Sequence, residues 1–259
     1  MINYYFLLKL AYNGTNYSGW VIQKKQKTIQ GCLNKAIKNV IKSDEFRTIG
    51  ASKTDAGVHA LDQKVWLQTQ FKPNLSGFMA GVNKALPSDI RIIEIIEVNE
   101  EFHVRNTFEK IYKYQINNGE YDLLSENWTN FYNRQKLCLE ELRKYAELFV
   151  GIHDFFAFSG LSLEEKEQIN TNREIKSILV EEESNNNFAF YFKAKGFIRY
   201  QIRTIVQTIL ALCENKITID FVKDSLEGIF VKKMPYRANP KGLILLEISY
   251  GGEFKSMII

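Results

Sequence analysis

Phe46-Arg-Thr-Ile-Gly-Ala-Ser-Lys-Thr-Asp-Ala-Gly-Val-His-Ala60 is an apolar run that stops abruptly at one carboxylate, Asp55, set among small residues. Ile49 and Ala51 read as the end of a buried strand, and Ala56-Gly57 lets the backbone turn away tightly, because glycine takes positive φ at little cost. Asp55 is thereby expected at the lip of a cleft. Read alone, an Asp before Ala-Gly is a turn former whose side chain bonds its own backbone. Lys53 two residues before it and His59 four after it add cationic or proton-carrying groups, and an adjacent cation keeps a carboxylate ionised and nucleophilic.

Outward from this turn, apolar periodicity supplies the rest of the fold. Upstream, Phe6–Ala11 alternates like a strand, and Ile29, Leu33, Ile37, Val40 and Ile41 recur at helical spacing. Phe46–Ala51 and Gln63–Thr69 are two further strands, Phe78–Leu86 a short helix stopped before Pro87, and Ile90–Val98 a closing strand. The same β-α-β-β-α-β order recurs after Arg105: strand Lys110–Ile116, helix Leu137–Val150, strands Arg173–Val180 and Phe188–Lys193, helix Phe197–Cys213 and strand Leu243–Tyr250. This split βαβ pattern predicts an α+β fold of two ferredoxin-like halves, residues 1–106 and 107–259, with mainly antiparallel sheets joined around a central cleft. Asn117–Thr129, Ser159–Asn172 and Asp224–Asn239 read as loops or short insertions.

Composition narrows the function. The chain has 259 residues, 45% of them apolar, enough to bury a sizeable core. No apolar run is long enough to span a membrane, and the first residues lack a signal-peptide pattern, so a cytoplasmic protein is expected. Cys32, Cys138 and Cys213 each fall in a segment read as helical and are expected as reduced, partly buried thiols. With only His59, His103 and His153 besides, no metal-ligand spacing exists, and no metal or cofactor is expected. The formal charge is +4, yet Lys24, Lys25, Lys27, Lys35, Lys38 and Lys42 crowd the first fifty residues. That run is either a solvated face or a surface that meets phosphates.

Several blocks, in this order, resemble the TruA type of tRNA pseudouridine synthases, which act on the anticodon stem-loop. Ala11-Tyr-Asn-Gly-Thr-Asn-Tyr-Ser-Gly-Trp20 is similar to that family's Tyr-Asp-Gly-Thr-x-Phe-x-Gly-Trp, and Thr28-Ile29-Gln30 to the opening of its first helix. Lys53-Thr-Asp-Ala-Gly-Val-His-Ala60 looks like its signature Arg-Thr-Asp-Ala-Gly-Val-His-Ala. Phe102-His-Val-Arg105, Tyr112-Lys-Tyr114, Gly151-Ile-His-Asp-Phe-Phe-Ala-Phe158, Phe197-Ile-Arg-Tyr-Gln-Ile-Arg203 and Pro240-Lys-Gly-Leu-Ile-Leu245 with Tyr250 also match. The chain departs from the family at Lys53 (Arg there), Ser52 (Gly), Asn13 (Asp), Val21 (Gln) and Asn239 (Ala), and its spacer between Arg105 and Tyr112 is one residue short. Lys53 matters most, since a guanidinium can fork to phosphate and stack on a base while an ammonium is a point charge.

The resemblance implies conversion of uridine to pseudouridine at tRNA positions 38–40, by a homodimer on which one tRNA bridges both subunits. Asp55 would be the nucleophile, adding either to C6 of the base or to C1′ of the ribose. Arg203 would pair with Asp55, and Tyr112 would stack on the flipped uracil and place a hydroxyl near C5. Leu243 would support the other face of the base, and Lys53 would fill the vacated space or hold a phosphate. Arg199, one turn before Arg203 on the expected helix, joins Lys35 and Lys38 as further substrate-binding residues. Without the resemblance, Arg203 reads equally as an arginine snorkelling over apolar neighbours, and Tyr112 as a core aromatic. Two other classes compete: a noncatalytic RNA-binding relative, disfavoured by the intact Asp55, and a sugar hydrolase, which needs a second catalytic acid where Asp62 belongs to no motif. A pseudouridine synthase acting on another RNA uridine remains the alternative within the enzyme class.

Overall fold

The computed structural model describes residues 2–184, 186–229 and 232–259. Two compact units emerge, one made of Met1–Phe108 with Leu245–Ile259 and the other of Glu109–Ile244. The chain passes out of the first unit after Phe108 and returns to it from Leu245.

Unit one runs β1 (Tyr4–Tyr12), α1 (Ile29–Ile41), β2 (Phe46–Gly50), β3 (His59–Thr69), α2 (Leu75–Ala85) and β4 (Ile90–Val98). Its strands lie in the order β4-β1-β3-β2, each pair antiparallel. That order is what two interleaved βαβ crossovers give, since each helix carries the chain over one intervening strand. On β1, Phe6, Leu8, Leu10 and Tyr12 are all buried, the period of two expected of a strand with one face on the core. Thr28 starts α1 by accepting the N–H of Gly31, and Asn74 starts α2 by accepting that of Gly77. The two helices pack on each other, so that a Cβ on Gly81 would meet Val40 at 3.4 Å.

Unit two repeats the theme with additions: β5 (Glu109–Asn117), β6 (Asn130–Phe131), α3 (Leu139–Glu147), β7 (Gly151–Asp154), α4 (Leu163–Gln168), β8 (Asn172–Ile175), β9 (Ser177–Ser184), β10 (Asn187–Ala194), α5 (Gln201–Cys213) and α6 (Ile219–Leu226). Strands β5, β10 and β9 form an antiparallel ladder in that order. Tyr112 faces Phe192 across it, and Tyr114 faces Phe190, the aromatic cross-strand pairing that stabilises a sheet. A 3-10 turn at Pro240–Gly242 leads into β11 (Leu243–Ser249), which from Leu245 belongs to unit one and lies beside β3.

The structure corrects several sequence expectations. Arg173–Val180 is not one strand: β8 pairs with β7, while β9 pairs with β10. Ile175 is buried, and so are Ile178 and Val180, a change of parity that a single pleated strand cannot accommodate. The helix expected from Phe197 begins only at Gln201, because Tyr200 adopts φ 67°, ψ 0°, outside the right-handed helical region. The Ser159–Asn172 loop contains α4, started by a capping box between Ser162 and Glu165. Of the Asp224–Asn239 loop, the first residues finish α6 and residues 230–231 lie outside those described. Cys138 is not a buried helical thiol; it precedes α3, is exposed, and lies 2.9 Å from a Glu140 oxygen. No helix among the described residues is long and apolar enough to cross a membrane.

Candidate active site

Asp55 sits on a four-residue turn between β2 and β3. Its carbonyl accepts the N–H of Val58 at 3.2 Å, and Gly57 at φ 77° supplies the positive φ that such a turn needs. The segment before β3 is braced by the motif near the N-terminus. Trp20 N–H donates to the carbonyl of Thr54 (3.0 Å), Gly57 N–H donates to Tyr17 (3.2 Å), and the hydroxyls of Tyr12 and Thr54 are 2.7 Å apart. Two glycines make that docking possible. A Cβ on Gly14 would stand 2.0 Å from the carbonyl oxygen of Val58, and one on Gly19, at φ 92°, would stand 2.8 Å from that of Thr54.

Further contacts immobilise both ends of the loop. Gln63 clamps Ser52 twice, accepting its N–H (3.1 Å) and donating to its carbonyl (2.7 Å). His59 is fully buried and accepts the Gly14 N–H on Nδ1 at 3.1 Å, a bond that holds the two motifs together. Trp20 is buried against Gly50, where a Cβ would come within 2.5 Å of the indole. Asp55 itself is half-buried and Lys53 exposed, so the carboxylate is raised on a rigid turn and its basic neighbour faces solvent.

In unit two, Arg203 lies in the first turn of α5. Its Nε donates to the carbonyl of Ala238 (2.8 Å), and its own carbonyl accepts the Ala238 N–H (3.0 Å). The next residue, Asn239, accepts the buried Tyr114 hydroxyl on its carbonyl at 2.8 Å, and its side chain caps the turn at Lys241. Burial raises the Tyr114 phenol well above its ordinary pKa, so it remains a donor. A Cβ on Gly242 would lie 2.7 Å from the carbonyl oxygen of Gln115, so glycine lets the turn close on β5. Arg203, β5 and the start of β11 at Leu243 are thereby fixed relative to one another. Tyr112 lies on the same face of β5 as Tyr114, two residues away, and is buried edge-on to Phe197 with ring centroids 5.4 Å apart. Leu243 is buried.

The remaining predicted substrate residues behave differently. Arg199 is not on α5: it precedes the helix, donates to the carbonyl of Gly160 and pairs with Glu165 at 2.6 Å. Lys35 is exposed on α1, whereas Lys38 pairs with Asp44 at 2.6 Å. Asp62, the acid nearest Asp55 in sequence, is structural: it is buried, 2.7 Å from the Lys64 ammonium, and accepts the Ile248 N–H at 2.9 Å. Sequence reasoning missed Gln63, Thr54 and Tyr200. Gln63 left no local signal of its own, since β3 also buries the polar residues His59 and Asp62.

A family model described as tRNA pseudouridine synthase matches residues 10–106 and 145–251. Curated relatives extend the match to nearly the whole chain. The tRNA pseudouridine synthase A of Mesoplasma florum is 45% identical over 95% of this chain and 98% of its own. That of Mycoplasma mycoides subsp. mycoides is 45% identical over 94% and 97%, and that of Thermoanaerobacter pseudethanolicus 35% identical over 94% and 98%. Among solved structures, a chain of the archaeal box H/ACA sRNP Nop10-Cbf5 complex gives a TM-score of 0.35 at 11% identity, over 80% of this chain and 43% of that one, a likeness too slight to carry weight. On the family match and these full-length identities, the chain belongs to the tRNA pseudouridine synthase family.

Proposed function

We propose that this protein, an isomerase by family, converts uridine to pseudouridine in the anticodon stem-loop of tRNA, at positions 38–40, with Asp55 as nucleophile. The observation that carries the reading is the Asp55 turn: a single half-buried carboxylate on a loop braced by Tyr12, Tyr17, Trp20 and Gln63. The isomerisation breaks the C1′–N1 bond, turns the base and forms C1′–C5; C5 loses a proton and N1 gains one. Atoms balance within the substrate, so one carboxylate adding to C6 or C1′ and later leaving is sufficient covalent chemistry.

The other proposed roles are supported by how each residue is held. Arg203, fixed at both its Nε and its carbonyl by Ala238, supplies a positioned guanidinium to keep the nucleophile ionised. Tyr112 offers an aromatic face and a hydroxyl to the extruded uracil, Leu243 an apolar support, and Lys53 positive charge beside the vacated stack. Extrusion costs a few kcal/mol, which backbone contacts by exposed cations such as Lys35 offset. The protein acts in the cytoplasm as a homodimer.

Mapping pseudouridine in tRNA transcripts treated with wild type, Asp55→Asn and Asp55→Ala tests the reading. The expected result is pseudouridine at positions 38–40 with wild type and none with either variant, while both variants still bind tRNA. Substantial turnover by Asp55→Asn removes the nucleophile assignment, and modification elsewhere in the tRNA removes the site assignment.

A further inference from the structure

Tyr200 is held in an unusual way. Its φ of 67° is a left-handed conformation that a bulky residue enters at a steric cost. Its ring lies where a Cβ on Gly160 would stand 2.2 Å from Cδ2, so only glycine there admits it. Around that ring three guanidinium carbons converge, at 4.1 Å for Arg237, 5.6 Å for Arg203 and 5.9 Å for Arg199.

Their charges are unequally offset. Arg199 pairs with Glu165, and Arg203 is anchored on Ala238. Arg237 is exposed, and among the described residues no carboxylate pairs with it. Next to this group, Lys166 and Lys233 sit over the ring of Phe156, at 4.5 and 3.2 Å from its centroid. Asp154 pairs with Lys166, Glu165 pairs with Arg199, and both carboxylates act on Lys233. Besides Arg203, the four cations Arg199, Arg237, Lys166 and Lys233 thus share the two carboxylates of Asp154 and Glu165 over one small surface of unit two, with aromatic rings beneath. Such convergence repels itself unless a polyanion completes it.

We propose that Arg237, laid over Tyr200, forms a binding site for a phosphodiester of the RNA backbone. The inference rests on the RNA substrate proposed above and adds a site to it. The ring supports a flat guanidinium, which presents paired N–H donors to two phosphate oxygens, a geometry that an ammonium cannot copy. The positive φ at Tyr200 then has a purpose: it ends the approach to α5 with the ring turned beneath Arg237.

Binding of an anticodon stem-loop RNA over a salt series tests the site with wild type, Arg237→Gln, Arg237→Lys and, as a control on α3, the exposed Lys144→Gln. Arg237→Gln should weaken binding roughly tenfold at low salt and flatten the slope of log affinity against log salt by about one. Arg237→Lys should restore the slope but only part of the affinity, and Lys144→Gln should leave the slope as in wild type. An unchanged slope in Arg237→Gln, or an equal loss in Lys144→Gln, overturns the proposal. The readout is binding alone: if wild type forms no pseudouridine while Arg237→Gln still flattens the slope, the catalytic reading fails and the phosphodiester site stands.

Discussion

Lys233 is held where its own charge is disfavoured. Its ammonium lies 3.2 Å from the Phe156 ring centroid and 3.0 Å from the Ser159 hydroxyl, and burial, with Lys166 adding repulsion, pulls its pKa from 10.5 to about 8. Between those two values the unfolded chain keeps a proton that the folded chain has released, so this group makes stability rise with pH across the window. The penalty is full below about pH 8 and gone above 10.5. Lys233→Met should therefore gain on wild type in urea midpoint near pH 8 and lose that advantage towards pH 10.5; a pH-independent difference contradicts the assignment. Lys53 poses a question of shape rather than of protonation. If position 53 needs only charge beside the extruded nucleotide, Lys53→Arg should leave the single-turnover rate unchanged and Lys53→Ala should lower it. If planar stacking is needed, Lys53→Arg should be faster than wild type, the outcome that a point-like ammonium leads us to expect. Equal rates for all three proteins would remove Lys53 from the reaction.

At the level of elements, each unit has a loop beside its proposed catalytic residue, and each loop is tied down by residues distant in sequence. Trp20 donates its N–H to Thr54, seals Gly50 and stacks on Tyr12 with ring centroids 6.2 Å apart. Trp20→Ala should cost about 3–5 kcal/mol of stability by chemical denaturation, because an indole-sized cavity opens under the Asp55 turn. In unit two the Tyr114 hydroxyl holds the turn before β11, so Tyr114→Phe should cost about 1–3 kcal/mol by leaving the Asn239 carbonyl without that donor. A cost under ~0.5 kcal/mol would show that Asn239 finds another donor. Strands β1 to β5, α1 and α2 were legible in the sequence because each has one apolar face at a constant period, and Asp55 because small residues isolate it. The break at Lys176 and the late start of α5 were not. Both are set by partners far along the chain, β7 for the one and Gly160 for the other. α6 did leave a local sign, a Thr218 cap followed by Val222 and Leu226 at helical spacing. The bracing of Ser52 by Gln63 lay beyond any local pattern, since it depends on strand register.

For the whole molecule, chain topology and charge both bear on function. Strand β11 completes unit one, where Ile248 gives its N–H to the buried Asp62, so ending the chain at Ile244 should unfold the unit that carries Asp55. Net charge is only +4, from 34 Lys and Arg against 30 Asp and Glu, so an RNA surface must come from the placement of cations rather than their number. Lys24, Lys25, Lys27, Lys35 and Lys42 are all exposed, and Lys27 lies 4.5 Å over the Tyr17 ring. Lys38 differs, because Asp44 already sits 2.6 Å from it, although a pair this exposed contributes at most ~1 kcal/mol. Counterion release depends on which phosphates each cation neutralises, and a cation shared with a carboxylate neutralises less. Lys35→Gln should accordingly flatten the salt slope of tRNA affinity by about one, and Lys38→Gln by less. Asp44→Asn, by releasing Lys38, should steepen it. Slopes identical across wild type and these three variants would assign the N-terminal lysines to a solvated face, leaving the affinity to cations of unit two such as Arg237.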